Sequence, residues 1–161
     1  MVITAYRPIP GSGPYTVYQQ HVDYYSSINN TKCPITNYDN DLIKIIEAWT
    51  DSGDQVILMI DANVALQKNN KGSFRRRMEE IGMNELILSQ HPHLKPPATR
   101  SPGTNTIDSI FGTGSLIVKK AGYGPHLGFT DHRLAWVDID WDSALGIFQK
   151  NTAPYRQTPP M

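Results

Sequence analysis

The longest unbroken apolar run lies at residues 56–60, Val56-Ile57-Leu58-Met59-Ile60, and predicts a buried strand over 55–60. A shorter β-favouring run, Val2-Ile3-Thr4-Ala5-Tyr6, predicts a first strand that Arg7-Pro8 ends. Helical spacing occurs in three places. Tyr18, Val22 and Tyr25 follow a cap at Thr16. Leu42, Ile45, Ile46 and Trp49 follow a cap at Asp39 or Asn40 and stop at Gly53. Phe74, Met78 and Ile81 follow Ser73 and stop at Gly82. Three further strands are predicted at 106–111, 115–119 and 133–139, with only loops between them. Polar or Pro/Gly-rich segments at 8–14, 29–38 and 91–97 read as loops, and no internal repeat is visible.

Consecutive strands without intervening helices argue against a doubly wound sheet. The pattern predicts an α/β domain over 1–141 with a mixed, largely antiparallel sheet and helices on one face. Residues 142–161 read as a loose tail.

Composition narrows the class. The 161 residues carry 15 Lys+Arg against 15 Asp+Glu, and charged residues make up 19%. That excludes a polyelectrolyte binder and leaves nucleic acid as a partner only through a local patch. Cys33 is the single cysteine, so there is no internal disulfide and no Cys-based zinc site. No apolar run approaches the ~20 residues of a membrane span, and no signal-peptide pattern opens the chain. An intracellular protein, nuclear or cytoplasmic, is the expectation.

Candidate chemistry gathers at predicted strand ends. Asp61 and Asn63 follow the 55–60 strand, Asp108 lies in 106–111, Asp131 and His132 precede 133–139, and Tyr6 ends the first strand. An oxygen-rich set of this kind suits Mg²⁺ or Mn²⁺. Each motif also has a plain reading. Asp61-Ala62-Asn63 makes a turn, Asp108 is a solvated strand residue, and Asp131-His132 orients a loop. A Walker B assignment for 56–61 fails, because the chain has no G-x-x-x-x-G-K-[ST]. Arg75-Arg76-Arg77, near Lys68 and Lys71, is either a solvated helix face or a phosphate contact. His91 and His93 flank Pro92 and read as a loop rather than a metal pair, and His21 and His126 as structural or exposed.

Taken in order, Tyr6-Arg7-Pro8, Asp61-Ala62-Asn63, Ile107-Asp108-Ser109-Ile110-Phe111 and Thr130-Asp131-His132-Arg133 resemble the motifs of the endonuclease/exonuclease/phosphatase superfamily, the fold of DNase I and the major AP endonucleases. The style is nearest to the endonuclease domains of retrotransposons, notably from Ala98-Thr99-Arg100 to Gly112-Thr113. The chain departs from the family pattern at Ile60, Ala62 and Thr130.

The resemblance runs over 1–141 and implies the C-terminal half of a four-layer α/β sandwich. The family's N-terminal half, with its Asn and metal-binding Glu, is expected to precede it. An open apolar face near the 2–6 or 55–60 strands follows, to be covered by that half or by self-association.

The implied activity is divalent-metal-dependent phosphodiester hydrolysis on DNA, weak in this chain alone. Asp61 would orient or deprotonate water, and Asn63 would steady the phosphate or a metal-bound oxygen. Asp131 would ligate Mg²⁺ or Mn²⁺. His132 would stabilise charge on phosphorus, Asp108 would hold His132 in the right tautomer, and Tyr6 would bind a phosphate oxygen. Arg7 and Arg133 flank these motifs and are candidate phosphate contacts. The competing readings are an inactive fragment that binds nucleic acid or protein, and a phosphoesterase acting on lipid or inositol phosphates.

Overall fold

A computed structural model describes residues 1–11 and 13–145. Its elements run β1 (Val2–Tyr6), α1 (Val17–Ser27), α2 (Pro34–Asp51), β2 (Ile57–Asp61), α3 (Phe74–Glu80), β3 (Met83–Glu85), a 3-10 turn (Leu88–Gln90), β4 (Asp108–Thr113), β5 (Val118–His126), β6 (Arg133–Ile139) and α4 (Trp141–Ala144). β1, β2, β4 and β3 form one sheet in that order, and β5 and β6 form a second. β1 and β2 are parallel, and the other pairs are antiparallel. The chain is therefore mixed α/β with a mixed four-stranded sheet and a small second sheet.

Alternation along β2 decides which side meets what. Leu58 and Ile60 turn to one face and pack with Phe111 of β4, Leu42 and Ile46 of α2, and Phe74 and Met78 of α3. Phe74 and Phe111 meet edge to face with centroids 6.0 Å apart. Each such burial is worth about 1.5–3 kcal/mol. On the opposite face Ile110 packs with Ala121 of β5, Leu86 and Ile87, and the partly buried Ala135 and Val137 of β6 join them. Helices thus cover one face of the main sheet, and the β5–β6 hairpin covers part of the other.

That coverage stops short of β1 and β2. Val2, Tyr6 and Met59 are 60%, 47% and 38% exposed. The exposed part of β1 and β2 thus includes apolar side chains, on the strands expected to carry an open face. A groove of about 240 Å³ separates it from β6, lined by Thr4 and Met59 on one side and Arg133 and Ala135 on the other.

Caps and stops that act within a few residues stand where the local sequence predicts them. The Thr16 hydroxyl accepts from the Gln19 amide, and the Ser73 hydroxyl accepts from that of Arg76. Gly53 and Gly82 close α2 and α3 at φ of 88° and 80°, where a side chain is strained.

Other elements moved. α2 begins five residues before Asp39, with Cys33 as its cap residue and Pro34 opening the helix, where a missing amide costs nothing. β4 starts at Asp108 because Thr106 and Ile107 turn their carbonyls to the amides of Leu66 and Ala62 instead. β5 runs to His126, through glycines and a proline that read as a loop. Gly122 faces Trp136 across the pair, and a Cβ there would lie 3.2 Å from the indole. β3 is three residues long and carries no periodicity. α4 straddles the expected boundary at 141, and residues 146–161 of the expected tail lie outside the described residues.

Asp39 does not cap α2. Its carboxylate sits inside the helix at 6% exposure and takes two hydrogen bonds from Arg7, at 2.7 and 2.9 Å, and one from Arg77 at 3.0 Å. The Arg7 guanidinium also lies over the Phe74 ring, 5.4 Å from its centroid. This knot ties β1, α2 and α3 together. Asp39→Ala would leave two guanidinium groups without their partner, and we expect a loss of about 3 kcal/mol in urea unfolding. Arg76→Ala, in exposed pairs only, should cost about 0.5 kcal/mol or less. Equal, small losses would contradict the role of the knot.

Candidate active site

Register builds the site first. Tyr6 pairs with Asp61 across β1–β2, and Asp61 pairs with Asp108 across β2–β4. Paired residues project to the same face, so a phenol and two carboxylates stand in one row at one edge of the sheet. This is the face the β5–β6 hairpin only partly covers. His132 reaches the row from the other sheet. Its Nδ1 lies 3.0 and 3.1 Å from the two Asp108 oxygens, half-buried. Asp61, Asp108 and His132 each offer a ligand atom within 4.8 Å of the others.

The backbone around these groups is held by named bonds. The Asn63 amide donates to Asp61 Oδ1 at 3.1 Å, and Asn63 Nδ2 donates to the Arg7 carbonyl at 2.8 Å. Asn63 adopts φ 49°, the left-handed region that Asn tolerates better than most residues. The segment carrying His132 is strapped to residues 99–101. Arg133 N donates to the Thr99 carbonyl at 2.8 Å, and Ser101 N to the Asp131 carbonyl at 2.7 Å. Thr99, fully buried, accepts the amides of Ile107 and Asp108 on its hydroxyl at 2.9 and 3.1 Å. Thr99 therefore sets both ends of the Asp108–His132 pair.

A second support lies beneath Asp108. The Tyr123 hydroxyl donates to the Asp108 carbonyl at 2.9 Å. Ser109, the next residue, donates to buried Glu85, which also accepts the amides of Ile87, Leu88 and Ser89. Burial raises the Tyr123 phenol and keeps it a donor. Glu85, Thr99 and Tyr123 were not singled out in the sequence. The local sequence carries no signal for their roles, because each acts on partners distant in the chain.

Electrostatics single out Asp61. Its pKa is raised, chiefly by burial and then by the neighbouring Asp108 charge, against the lowering pull of the Asn63 amide, His132 and Arg100. Arg100 is the cation the sequence reading missed. Its Nε donates to Asp131 Oδ2 at 3.0 Å, and its positive charge also feels Asp61 and Tyr6. That bond holds the Asp131 carboxyl below its usual range.

The structure thus brings together Tyr6, Asp61, Asp108 and His132, with Asn63 bracing the turn. Asp131, expected to ligate metal, lies outside the three-residue cluster and pairs with Arg100 at about half exposure. Arg7 and Arg133, the candidate phosphate contacts, are engaged within the fold. Arg7 binds Asp39, and Arg133 donates to the carbonyls of Ala98 and Gly124. Arg75 and Arg76 pair with Glu79 and Glu80, and Arg77 with Asp39 and Asn40, which favours a paired helix face over a phosphate patch. His91 hydrogen-bonds the Ala121 carbonyl.

No family model matches the chain, and no curated protein matches its sequence. The chemistry must be read from the geometry. A carboxylate of raised pKa can orient and deprotonate water. An imidazole whose Nδ1 is held by a carboxylate presents Nε2 to a second partner. Two carboxylates and an imidazole nitrogen at these spacings fit a small divalent cation.

Burying the Asp61 anion has a measurable consequence. Its folded pKa lies above the unfolded value, so the folded state holds the proton more tightly. Stability lent by this group is present below the unfolded pKa and lost as pH rises through the folded pKa. In EDTA, Asp61→Asn should therefore raise the urea midpoint at about pH 7, relative to its effect at about pH 3. A difference between the two proteins that stays constant across that range would contradict the assignment.

Proposed function

We propose that the chain hydrolyses phosphodiesters with the help of Mg²⁺ or Mn²⁺, with DNA as the substrate. The observation that carries this reading is the convergence of Asp61, Asp108 and His132 at one sheet edge, with Asp108 hydrogen-bonded to His132 Nδ1. The order of the four motifs supports the endonuclease/exonuclease/phosphatase superfamily as the source of the arrangement. The uncovered face of β1 and β2 supports a fold equivalent to half of that family's four-layer sandwich.

In this reading each side chain has a stated task. Asp61 positions water for in-line attack and takes its proton. Asp108 fixes the His132 ring so that Nε2 faces the oxygen on which charge develops. The Tyr6 hydroxyl binds a non-bridging phosphate oxygen, and Asn63 holds Asp61 in place. The carboxylates of Asp61 and Asp108 would hold the divalent ion beside His132, whose Nδ1 stays on Asp108, while Asp131 fixes Arg100 at the rim. When bound, the ion supplies positive charge that stabilises the transition state, commonly worth several kcal/mol. A binding module acting through the 75–77 cluster finds no support, because those arginines are paired within the fold.

The test is hydrolysis of bis(p-nitrophenyl) phosphate and nicking of supercoiled plasmid in Mn²⁺ or Mg²⁺. EDTA should abolish both. Asp61→Ala and His132→Ala should each lower the rate about 10²–10³-fold, and Lys44→Ala, far along α2, should not. Cleavage that survives EDTA, or is indifferent to Asp61→Ala, would overturn the reading.

A further inference from the structure

The connection between β5 and β6 ends in a built turn beside the candidate site. Thr130 N donates to the Leu127 carbonyl at 3.0 Å, which closes a turn with Gly128 and Phe129 at its centre. The Thr130 hydroxyl then accepts the His132 amide at 3.1 Å, and the Asp131 carbonyl accepts the Ser101 amide. The loop is thus tied down on its return side. Phe129 is nevertheless 87% exposed, and Leu127 is 40% exposed.

Turn chemistry does not explain that residue. The third position of such a turn favours Gly, Asn or Asp, and a phenyl ring held out in water loses the benefit of burial. Nor does Phe129 belong to the open sheet face, because it lies beyond the end of β5 and before β6. Its neighbours suggest an occupant. Phe129 is three residues from His132, so their Cα atoms are at most ~10 Å apart. Successive nucleotides of one DNA strand rise ~3.4 Å each, so this reach spans about three base steps. Beside the ring an open basin of about 470 Å³ is lined by Ser101, His126 and Asp131.

We infer that Phe129 is a stacking platform for a base of a nucleic-acid strand whose phosphate lies at the Asp61–His132 centre. The inference rests on the reading of that centre as a phosphate site. An exposed aromatic ring takes any base by its flat face, and sequence tolerance follows. A lipid surface fits the loop less well. Only two apolar side chains, Leu127 and Phe129, project from it, too few for a membrane-inserting face, and the Asp131 carboxylate beside them is paired with Arg100.

The test compares two labelled ten-nucleotide strands by fluorescence anisotropy in Ca²⁺, which offsets the Asp61 and Asp108 charges as Mg²⁺ would, over a time too short for cleavage. One is oligothymidylate, and the other is the same sugar–phosphate chain without bases. The wild-type protein should bind the base-bearing strand about tenfold more tightly. Phe129→Ala should remove that preference by weakening only the base-bearing complex, and Phe129→Trp should keep it. A preference unchanged in Phe129→Ala would overturn the inference. So would failure of both strands to bind, or a Phe129→Ala effect confined to self-association in sedimentation. Base-dependent binding without hydrolysis of the small phosphodiester would leave the stacking role standing and remove the hydrolytic one. Hydrolysis without base-dependent binding would do the reverse.

Discussion

Two carboxylates, Asp61 and Asp108, stand directly opposite one another on paired strands, and the surrounding structure is organised around that repulsion. Like charges in this position destabilise a sheet. Burial makes the conflict worse, as the raised pKa of Asp61 records. The fold offsets it with His132 on Asp108, the Asn63 amide on Asp61, and the Arg100 charge nearby. Groups held against their preference at a strand edge are the usual mark of a functional site rather than of a stabilising one.

Holding His132 there requires two sheets to be tied together. The ties are mostly backbone, and they pass through residues 99–101. Thr99 grips the start of β4 with its hydroxyl and the first residue of β6 with its carbonyl. Glu85 acts at longer range. It gathers the 3-10 turn and Ser109 onto one buried carboxylate, while Tyr123 holds the Asp108 carbonyl from β5. These groups touch no reacting atom in the proposed chemistry. Their effect is to fix where Asp108 and His132 can be.

Much of this was legible in the chain. Helix caps at Thr16 and Ser73 and stops at Gly53 and Gly82 act within a few residues, so the local sequence displays them. Asp61, His132 and Tyr6 are visible because each lies at a predicted strand end, Asp108 lies within a predicted strand, and their order along the chain forms a pattern. What the sequence hid is what distant segments decide. Arg7 reads as a phosphate contact until Asp39, 32 residues on, is seen to claim it. Asp131 reads as a metal ligand until Arg100 is placed beside it. The strand through Gly122 reads as a loop until Trp136 is seen to need the space.

In the proposed function, Asp61 and Asp108 hold one divalent ion beside His132. Paramagnetic broadening by Mn²⁺ reports the location of such an ion directly. In a ¹H–¹⁵N spectrum titrated with substoichiometric Mn²⁺, the amide signals of residues 61–63, 108 and 132 should be lost early and saturably. Asp61→Asn should abolish that pattern. Broadening centred on any other acidic or histidine cluster, or only diffuse broadening at high Mn²⁺, would contradict it.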